Sequence, residues 1–346
     1  MCYYAAVTLT PSKRANCSSI KQAVESSLMT KVYSLDEILA VLPQVDLIAE
    51  IAEGFRAYSN GNVTVPPVAE LLFPDDHGEL HIKYGAIKGD DVFVIKVATG
   101  FFDNPVKGLP PFGGCMLVLS QKTGAVEAVL LEAGELTNHR TAAAGAVAAK
   151  YLAPEDIHGI GIIGSGVQAR LQADYLRKVT SCRQLTLWAR NPGKAHQAAD
   201  DITAMGYGVT VSRDVAGVCA ISNLIVTTTP SKEPLLTTEM VKPGTHVTAM
   251  GSDSPDKCEL DPSLLQSADI VVADSISQCR TQGEIHHALD GGTISERNIL
   301  ELGQIIDDPS AGRGNDSQIT IADLTGVAVQ DIAIAKAIVE KLTSRD

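Results

Sequence analysis

Apolar residues follow two different rhythms along this chain. From Ser34 to Tyr58 they recur at helical spacing, and Ser34-Leu35-Asp36-Glu37 has the Ser…Glu spacing of a capping box. A helix is therefore predicted over 34–58, ending near Asn60-Gly61. Residues 64–130 read as strands: His81–Tyr84, Val92–Val97, Met116–Leu119 and Ala128–Leu131, parted by Gly and Pro clusters such as Gly108-Leu109-Pro110-Pro111 and Gly113-Gly114. The rhythm then changes. After an alanine-rich helix at Ala142–Ala149, six short apolar runs alternate with helical stretches: Ile160–Ile163, Leu185–Trp188, Val209–Val211, Leu224–Thr228, His246–Ala249 and Ile270–Ala273. That alternation predicts a doubly wound parallel sheet. A last run, Ile319–Ala322, and a helix over Ala328–Leu342 come too late in the chain to join that sheet, and both are expected to return and pack on the first domain.

The expected fold class is thus α/β: a Rossmann doubly wound parallel sheet, residues 138–317, inserted in a β-rich α+β domain made of residues 34–137 plus 318–346. Residues 1–33 are expected to be an extension. They carry Lys13, Arg14 and Lys21 but only one acid up to residue 30, Glu25, and read either as a flexible leader or as a basic transit segment.

Composition narrows the function classes. The 346 residues carry a formal net charge of −13, which would repel a phosphate backbone, so no nucleic-acid partner is expected. No apolar run is long enough to span a bilayer, so no membrane association is expected. The seven cysteines are dispersed without a C-x-x-C pair, which suits reduced thiols in the cytoplasm, or in an organelle if residues 1–30 are a transit segment. The histidines form no H-E-x-x-H, and no metal site is expected.

The sharpest motif is Ile160-Gly161-Ile162-Ile163-Gly164-Ser165-Gly166-Val167-Gln168-Ala169, a strand, a glycine turn and a helix start. Gly164 permits the turn, Gly166 lets backbone approach a pyrophosphate, and Ala169 occupies the third small position where helix meets strand. The helix N-terminus then offers amides and dipole to phosphate. A nicotinamide dinucleotide is the expected cofactor. The next strand ends Leu187-Trp188-Ala189-Arg190-Asn191, without the acid that would hold a free ribose. Arg190 can instead pair with a 2′-phosphate, which leans toward NADP. The other reading is that Arg190 is a surface charge and NAD binds without an acidic contact.

Three further segments stand in order around this motif: Leu136-Thr137-Asn138-His139-Arg140-Thr141-Ala142-Ala143, then Met250-Gly251-Ser252-Asp253-Ser254-Pro255-Asp256-Lys257 with Glu259-Leu260, then Asp323-Leu324-Thr325-Gly326-Val327-Ala328-Val329-Gln330-Asp331. Together they resemble the ornithine cyclodeaminase/μ-crystallin family over roughly residues 34–342. The stretch from Lys96 to Pro105 and Gly108-Leu109-Pro110 look like its branch of ectoine-utilisation proteins and iminosuccinate reductases, a branch that leans toward NAD. The resemblance implies a homodimer whose β-rich domain binds substrate and pairs the subunits. It implies that Lys96 and Arg140 bind a substrate carboxylate, that Asp253 is the catalytic acid, and that Thr325 borders the substrate. It implies cofactor contacts from Ser165, Val167, Gln168, Asn191, Thr141, Thr228, Met250, Gly251, Ser252 and Lys257. Taken alone, Lys96 could be a surface lysine and Asp253 a turn former. The sequence departs from the ornithine-specific pattern: Pro66-Pro67 is followed by Val68, not Arg. His81 and Lys83, on one face of a strand, could supply the missing positive charge or, for His81, be structural.

Three functions are compatible with these residues. The first is an imino acid reductase or amino acid dehydrogenase, with iminosuccinate as a fitting dicarboxylate. The second is an ammonia-releasing cyclodeaminase. The third is a μ-crystallin-like protein that binds NADPH and a small ligand.

Overall fold

The computed structural model describes residues 30–344. The chain begins with strand β1 (Lys31–Tyr33) and helix α1 (Leu35–Val41), whose capping box forms as expected: Ser34 N–H donates to Glu37 Oε2 at 2.8 Å. The single helix expected over 34–58 is broken. Pro43 lies in a 3₁₀ turn, Leu42–Gln44, and Asp46 caps a second helix, α2 (Leu47–Ser59). Strands β2 (Val63–Thr64), β3 (Ala69–Phe73), β4 (Gly78–Ile87), β5 (Val92–Phe101), β6 (Phe112–Ser120) and β7 (Val126–Leu130) follow. They form a largely antiparallel sheet in the order β1-β7-β6-β5-β4-β2, with β3 also on β4. The extension expected over 1–33 is therefore corrected at its end, because Lys31–Tyr33 pairs in parallel with Ala128–Leu130. Residues 1–29 lie outside the described residues.

Helix α3 (Glu135–Leu152) leads to β8 (Ile160–Ile163), α4 (Val167–Leu176), β9 (Gln184–Trp188), α5 (Pro192–Ala204), β10 (Gly208–Val211), α6 (Val215–Ile221), β11 (Leu224–Thr227) and β12 (His246–Ala249). The chain continues through α7 (Pro262–Ser267), β13 (Ile270–Ala273), α8 (Ile276–Cys279), α9 (Gly283–Asp290), β14 (Ile299–Glu301), α10 (Leu302–Asp307), β15 (Thr320–Asp323) and α11 (Ala328–Thr343). All eight strands from β8 to β15 run parallel, in the order β10-β9-β8-β11-β12-β15-β13-β14. This is a Rossmann-like α/β fold.

One expectation is overturned here. The tail run is not on the first domain: β15 lies between β12 and β13, at the heart of the parallel sheet. All four of its residues are buried, and such a strand needs partners on both edges for its N–H and C=O groups. The range 318–346 is therefore divided, with its strand in the second sheet. Only α11 packs on the first domain, against α2 and β4, as expected of it. Strand residues alternate between two cores. Leu224 and Val226 face a core shared with Phe55, Leu136 and Ile332, while Ile225 and Val247 face a second core with Leu264 and Ile285. The core on the first face thus welds both sheets and α11 into one body. No helix among the described residues is long and apolar enough to cross a membrane.

Candidate active site

Antiparallel pairing sets Lys83 of β4 directly opposite Lys96 of β5, so both side chains leave the same face of the sheet. Two cations so placed repel each other, and burying them adds a desolvation cost. The fold answers with α11 and the turn before it. Lys96, 1% exposed, donates from Nζ to Asp331 Oδ1 at 2.9 Å. Arg140, projecting from α3, has Nε 3.2 Å from the same oxygen and donates from Nη1 to Gln330 Oε1 at 2.7 Å. Lys83 donates from Nζ to the carbonyls of Gly326, at 2.5 Å, and Thr325, at 3.5 Å. Three cations, Lys96 and Arg140 buried and Lys83 half-buried, thus converge on the first turn of α11 and the turn before it, with Asp331 ion-paired to Lys96 and Arg140.

Burial dominates the electrostatics. It pushes the Lys83 ammonium below the usual lysine range, and Arg140 adds to that, against Asp331, Asp253 and Asp274. Burial brings Lys96 down to about 7 despite Asp331, with Arg140 and Lys83 pushing the same way. Burial pushes the Asp331 carboxyl up, but Lys96, Arg140 and Lys83 outweigh it and hold the group below the usual carboxylate range. Asp331 Oδ2 and Gln330 Nε2 are buried without a hydrogen-bond partner, open polar valences that a bound polar molecule would fill.

Asp253 lies in the loop after β12. Its side chain is more than half exposed, and the Lys257 ammonium, with which it pairs, and Lys83 hold its carboxyl below the usual range, so it is an anion at neutral pH. His81 shares the face of Lys83 but stands beside carboxylates, 3.6 Å from Glu79 and 3.9 Å from Glu70. Its surroundings are acidic, and the structure does not bring it to the cluster of Lys83, Lys96 and Arg140 at the start of α11. The Thr325 hydroxyl donates inward to Asp274 at 2.9 Å, and only its carbonyl faces Lys83.

A second cavity, of about 460 Å³, opens at the carboxyl ends of β8, β9 and β11. Gly164, Ser165, Gly166, Arg190, Asn191 and Thr228 of the expected cofactor set line it. Gly164 has φ +132°, and a side chain there would strike Thr228. Gly166 has open space where a Cβ would sit and leaves the first amides of α4 without a side-chain cap, the arrangement that suits a pyrophosphate. Arg170 donates to the carbonyls of Ser165 at 2.7 Å and Gly166 at 3.2 Å, fixing the turn. These residues fit a dinucleotide.

The other expected cofactor residues do not line this cavity. Val167 is exposed at the start of α4, Gln168 donates to the Asn138 carbonyl at 3.0 Å, and Thr141 to that of Thr137 at 2.9 Å. Met250 accepts from Gln172, the Gly251 amide is bound by Glu259, and the Ser252 hydroxyl by the Lys257 carbonyl. Glu259 explains part of this. It accepts from the Thr227 hydroxyl at 2.6 Å, the Thr229 amide and hydroxyl at 2.6 Å each, and Gly251 N–H at 2.9 Å, tying the ends of β11 and β12 together. Burial raises its carboxyl to about 7.

Sequence reading missed Asp331, Gln330 and Asp274 as site residues, and Lys194 beside Arg190 in the cleft. Gln330 and Asp331 stood in the last of the three family-like segments but were given no role, because an acid in the first turn of a helix is equally well explained by a dipole contact.

Residues 27–346 match the family described as the ornithine cyclodeaminase/mu-crystallin family. The chain is 42% identical over 319 residues to a Sinorhizobium fredii protein described as an uncharacterized cyclodeaminase, covering 91% of this chain and 96% of that one. Its fold is similar to the iminosuccinate reductase of Paracoccus denitrificans in complex with NAD+, with a TM-score of 0.85 and 31% identity over 91% of this chain and 97% of that one. It is similar also to an archaeal alanine dehydrogenase dimer with bound NAD, with a TM-score of 0.83 and 32% identity over 91% and 97%. The chain belongs to the ornithine cyclodeaminase/mu-crystallin family.

Proposed function

We propose that the chain is an NAD(P)H-dependent imino acid reductase, able to run in reverse as an amino acid dehydrogenase, with a dicarboxylic imino acid such as iminosuccinate as substrate and L-aspartate as product. The observation that carries this is the cluster of Lys83, Lys96 and Arg140: Lys96 and Arg140 are buried and pair with Asp331, and half-buried Lys83 sits on the turn just before the same helix. Such a concentration of positive charge favours a doubly anionic ligand and repels a distal ammonium, which speaks against ornithine.

The glycine turn and the start of α4 would hold the cofactor, which supplies a hydride for the C=N carbon. Arg140 and Lys96 grip the α-carboxylate, the planar guanidinium fork matching it, so the reacting carbon is held in one place. Lys83 meets the second carboxylate. Asp253, anionic, faces the iminium nitrogen and holds its proton. The cyclodeaminase reading is favoured by the 42% identical relative. An absorbance assay with NAD(P)H and candidate imino acids separates the readings. Net cofactor consumption is expected. Cyclised product without consumption would favour the cyclodeaminase, and binding without either a carrier. Asp253→Asn should bind cofactor normally and turn over slowly, and wild-type turnover in it would remove Asp253 from this role.

Cofactor choice turns on Arg190, just past β9, and Lys194, in the first turn of α5, two cations with no acid beside them in the cleft wall. NADPH preference is expected, and Arg190→Ala should raise the NADPH KM by about tenfold relative to NADH, the worth of one charged hydrogen bond. A strong NADH preference untouched by that substitution would refute the argument.

Lys96 sets a pH dependence. Its protonated form binds the carboxylate, and its pKa is lowered to about 7, so kcat/KM should be full below 7 and fall as pH rises through it. Lys96→Arg, always charged, should abolish that limb. A flat wild-type profile from pH 6 to 9 would count against this role.

Assembly follows from exposed large apolar side chains concentrated in the first domain: Leu71 and Leu72 on β3, and Phe102, Val106, Leu109 and Phe112 in and around the loop after β5. The Phe73–Phe101 and Phe102–Phe112 ring contacts join the two parts. A homodimer through this domain is expected. Light scattering that finds a 36.5 kDa monomer at micromolar concentration would exclude it.

A further inference from the structure

Asp274 follows the last residue of β13 and is 1% exposed. Both of its oxygens are used on one turn: Oδ1 accepts the Thr325 hydroxyl at 2.9 Å, and Oδ2 accepts the Gly326 N–H at 2.7 Å. Gln278, four residues on, donates from Nε2 to the Thr325 hydroxyl oxygen at 2.8 Å and to the Gly326 carbonyl at 3.4 Å. With the amide and hydroxyl drawn to this side, the carbonyls of Thr325 and Gly326 are left for the Lys83 ammonium. Gly326 has φ +83°, and Arg140 Nη1 lies 2.6 Å from where its Cβ would be, so the guanidinium rests on the bare face of the same turn. The segment is also anchored from the other side, since Tyr58 Oη of α2 lies 2.6 Å from Ser275 Oγ.

We propose that Asp274 is a positioning residue for substrate recognition: it holds the Thr325–Gly326 turn so that the turn's carbonyls seat Lys83 and its glycine face seats Arg140. This rests on the reading of those two cations as carboxylate-binding groups. Asp274 touches neither substrate nor cofactor. Its action passes through the turn, and its loss would misplace two of three cations while leaving the dinucleotide cleft intact. The charged groups that bear on Lys83 are Arg140, Asp331, Asp253 and Asp274 itself, with Lys96 facing it across the strand pair.

The test uses the full-length protein with Asp274→Asn, which keeps the shape but loses the charge and one acceptor, and Thr325→Val, which removes only the hydroxyl. Both should raise the imino acid KM roughly tenfold or more, the worth of a hydrogen bond to a charged group, with the NAD(P)H KM within about twofold. Thr325→Ser should restore the wild-type value. The ¹³Cε shift of Lys83 followed against pH should show a lower midpoint in Asp274→Asn, which loses a nearby anion, and little change in Thr325→Val, which keeps it. An unchanged imino acid KM and Lys83 midpoint in folded Asp274→Asn would overturn the proposal, as would an equal rise in cofactor KM. If Asp274→Asn does not fold, the valine and serine variants decide, and wild-type KM in both would overturn it. If the wild type turns over no imino acid, the reductase reading fails, and the Lys83 titration still decides for or against Asp274.

Discussion

Arg140→Ala is expected to lower kcat/KM for the imino acid roughly 30-fold to 4,000-fold. The range follows from about 2–5 kcal/mol for removing one partner of a desolvated charge pair, at a factor of ten for each 1.4 kcal/mol. Arg140 is buried, bonded to Gln330 and adjacent to Asp331, so its guanidinium is held in place before any ligand arrives. Alanine leaves Lys96 to meet a carboxylate alone and strands Gln330 Oε1. Arg140→Lys should recover part of the loss, because it returns the charge without the planar fork. Cofactor affinity should hold throughout, since the glycine turn lies elsewhere. A loss below about threefold in a protein that melts like the wild type would show that Arg140 does not bind the substrate.

Asp331→Ala is expected to act on stability first. It removes the carboxylate shared by Lys96 and Arg140 and leaves both buried with no anion in contact. Breaking a buried pair in this way costs about 3–5 kcal/mol, which for a chain of this size corresponds to a fall in Tm on the order of 10 °C. The depressed pKa of Asp331 gives the sign with pH. Its contribution is complete above the ordinary carboxylate range and is lost as pH falls through its lowered folded value, so wild type and variant should converge in acid. A dicarboxylate should restore part of the variant's stability, because it binds the folded state and supplies the missing negative charge. A variant within a degree or two of the wild type at neutral pH would show that Asp331 does not neutralise the pair.

Much of the molecule was legible before any coordinates. The change of rhythm near residue 140 marked two kinds of sheet. The motif from Ile160 to Ala169 marked a strand, tight glycine turn and helix start, because glycine at Gly164 answers a local need: φ +132° beside Thr228 excludes a side chain. Lys96 was legible only through the family resemblance, since taken alone it could have been a surface lysine. The rhythm and the turn are local features, set by the chemistry of a few consecutive residues.

The partners of those residues were decided by tertiary structure. Nothing near Lys96 in the chain indicates Asp331, 235 residues later. Nothing near Asp274 indicates Thr325, 51 residues later. Both contacts depend on β15 entering the sheet between β12 and β13, which brings the turn at Thr325-Gly326 and the first turn of α11 over the first domain's lysines. A short run such as Ile319–Ala322 carries no record of which neighbours it will pair with, because backbone hydrogen bonding in a parallel sheet is the same for every strand. The same limit applied to His81. Period-2 spacing put it on the face of Lys83, but only the register with β3 set it beside Glu70. The sequence by itself determined which groups must be buried or bound; the order of strands determined which of them meet.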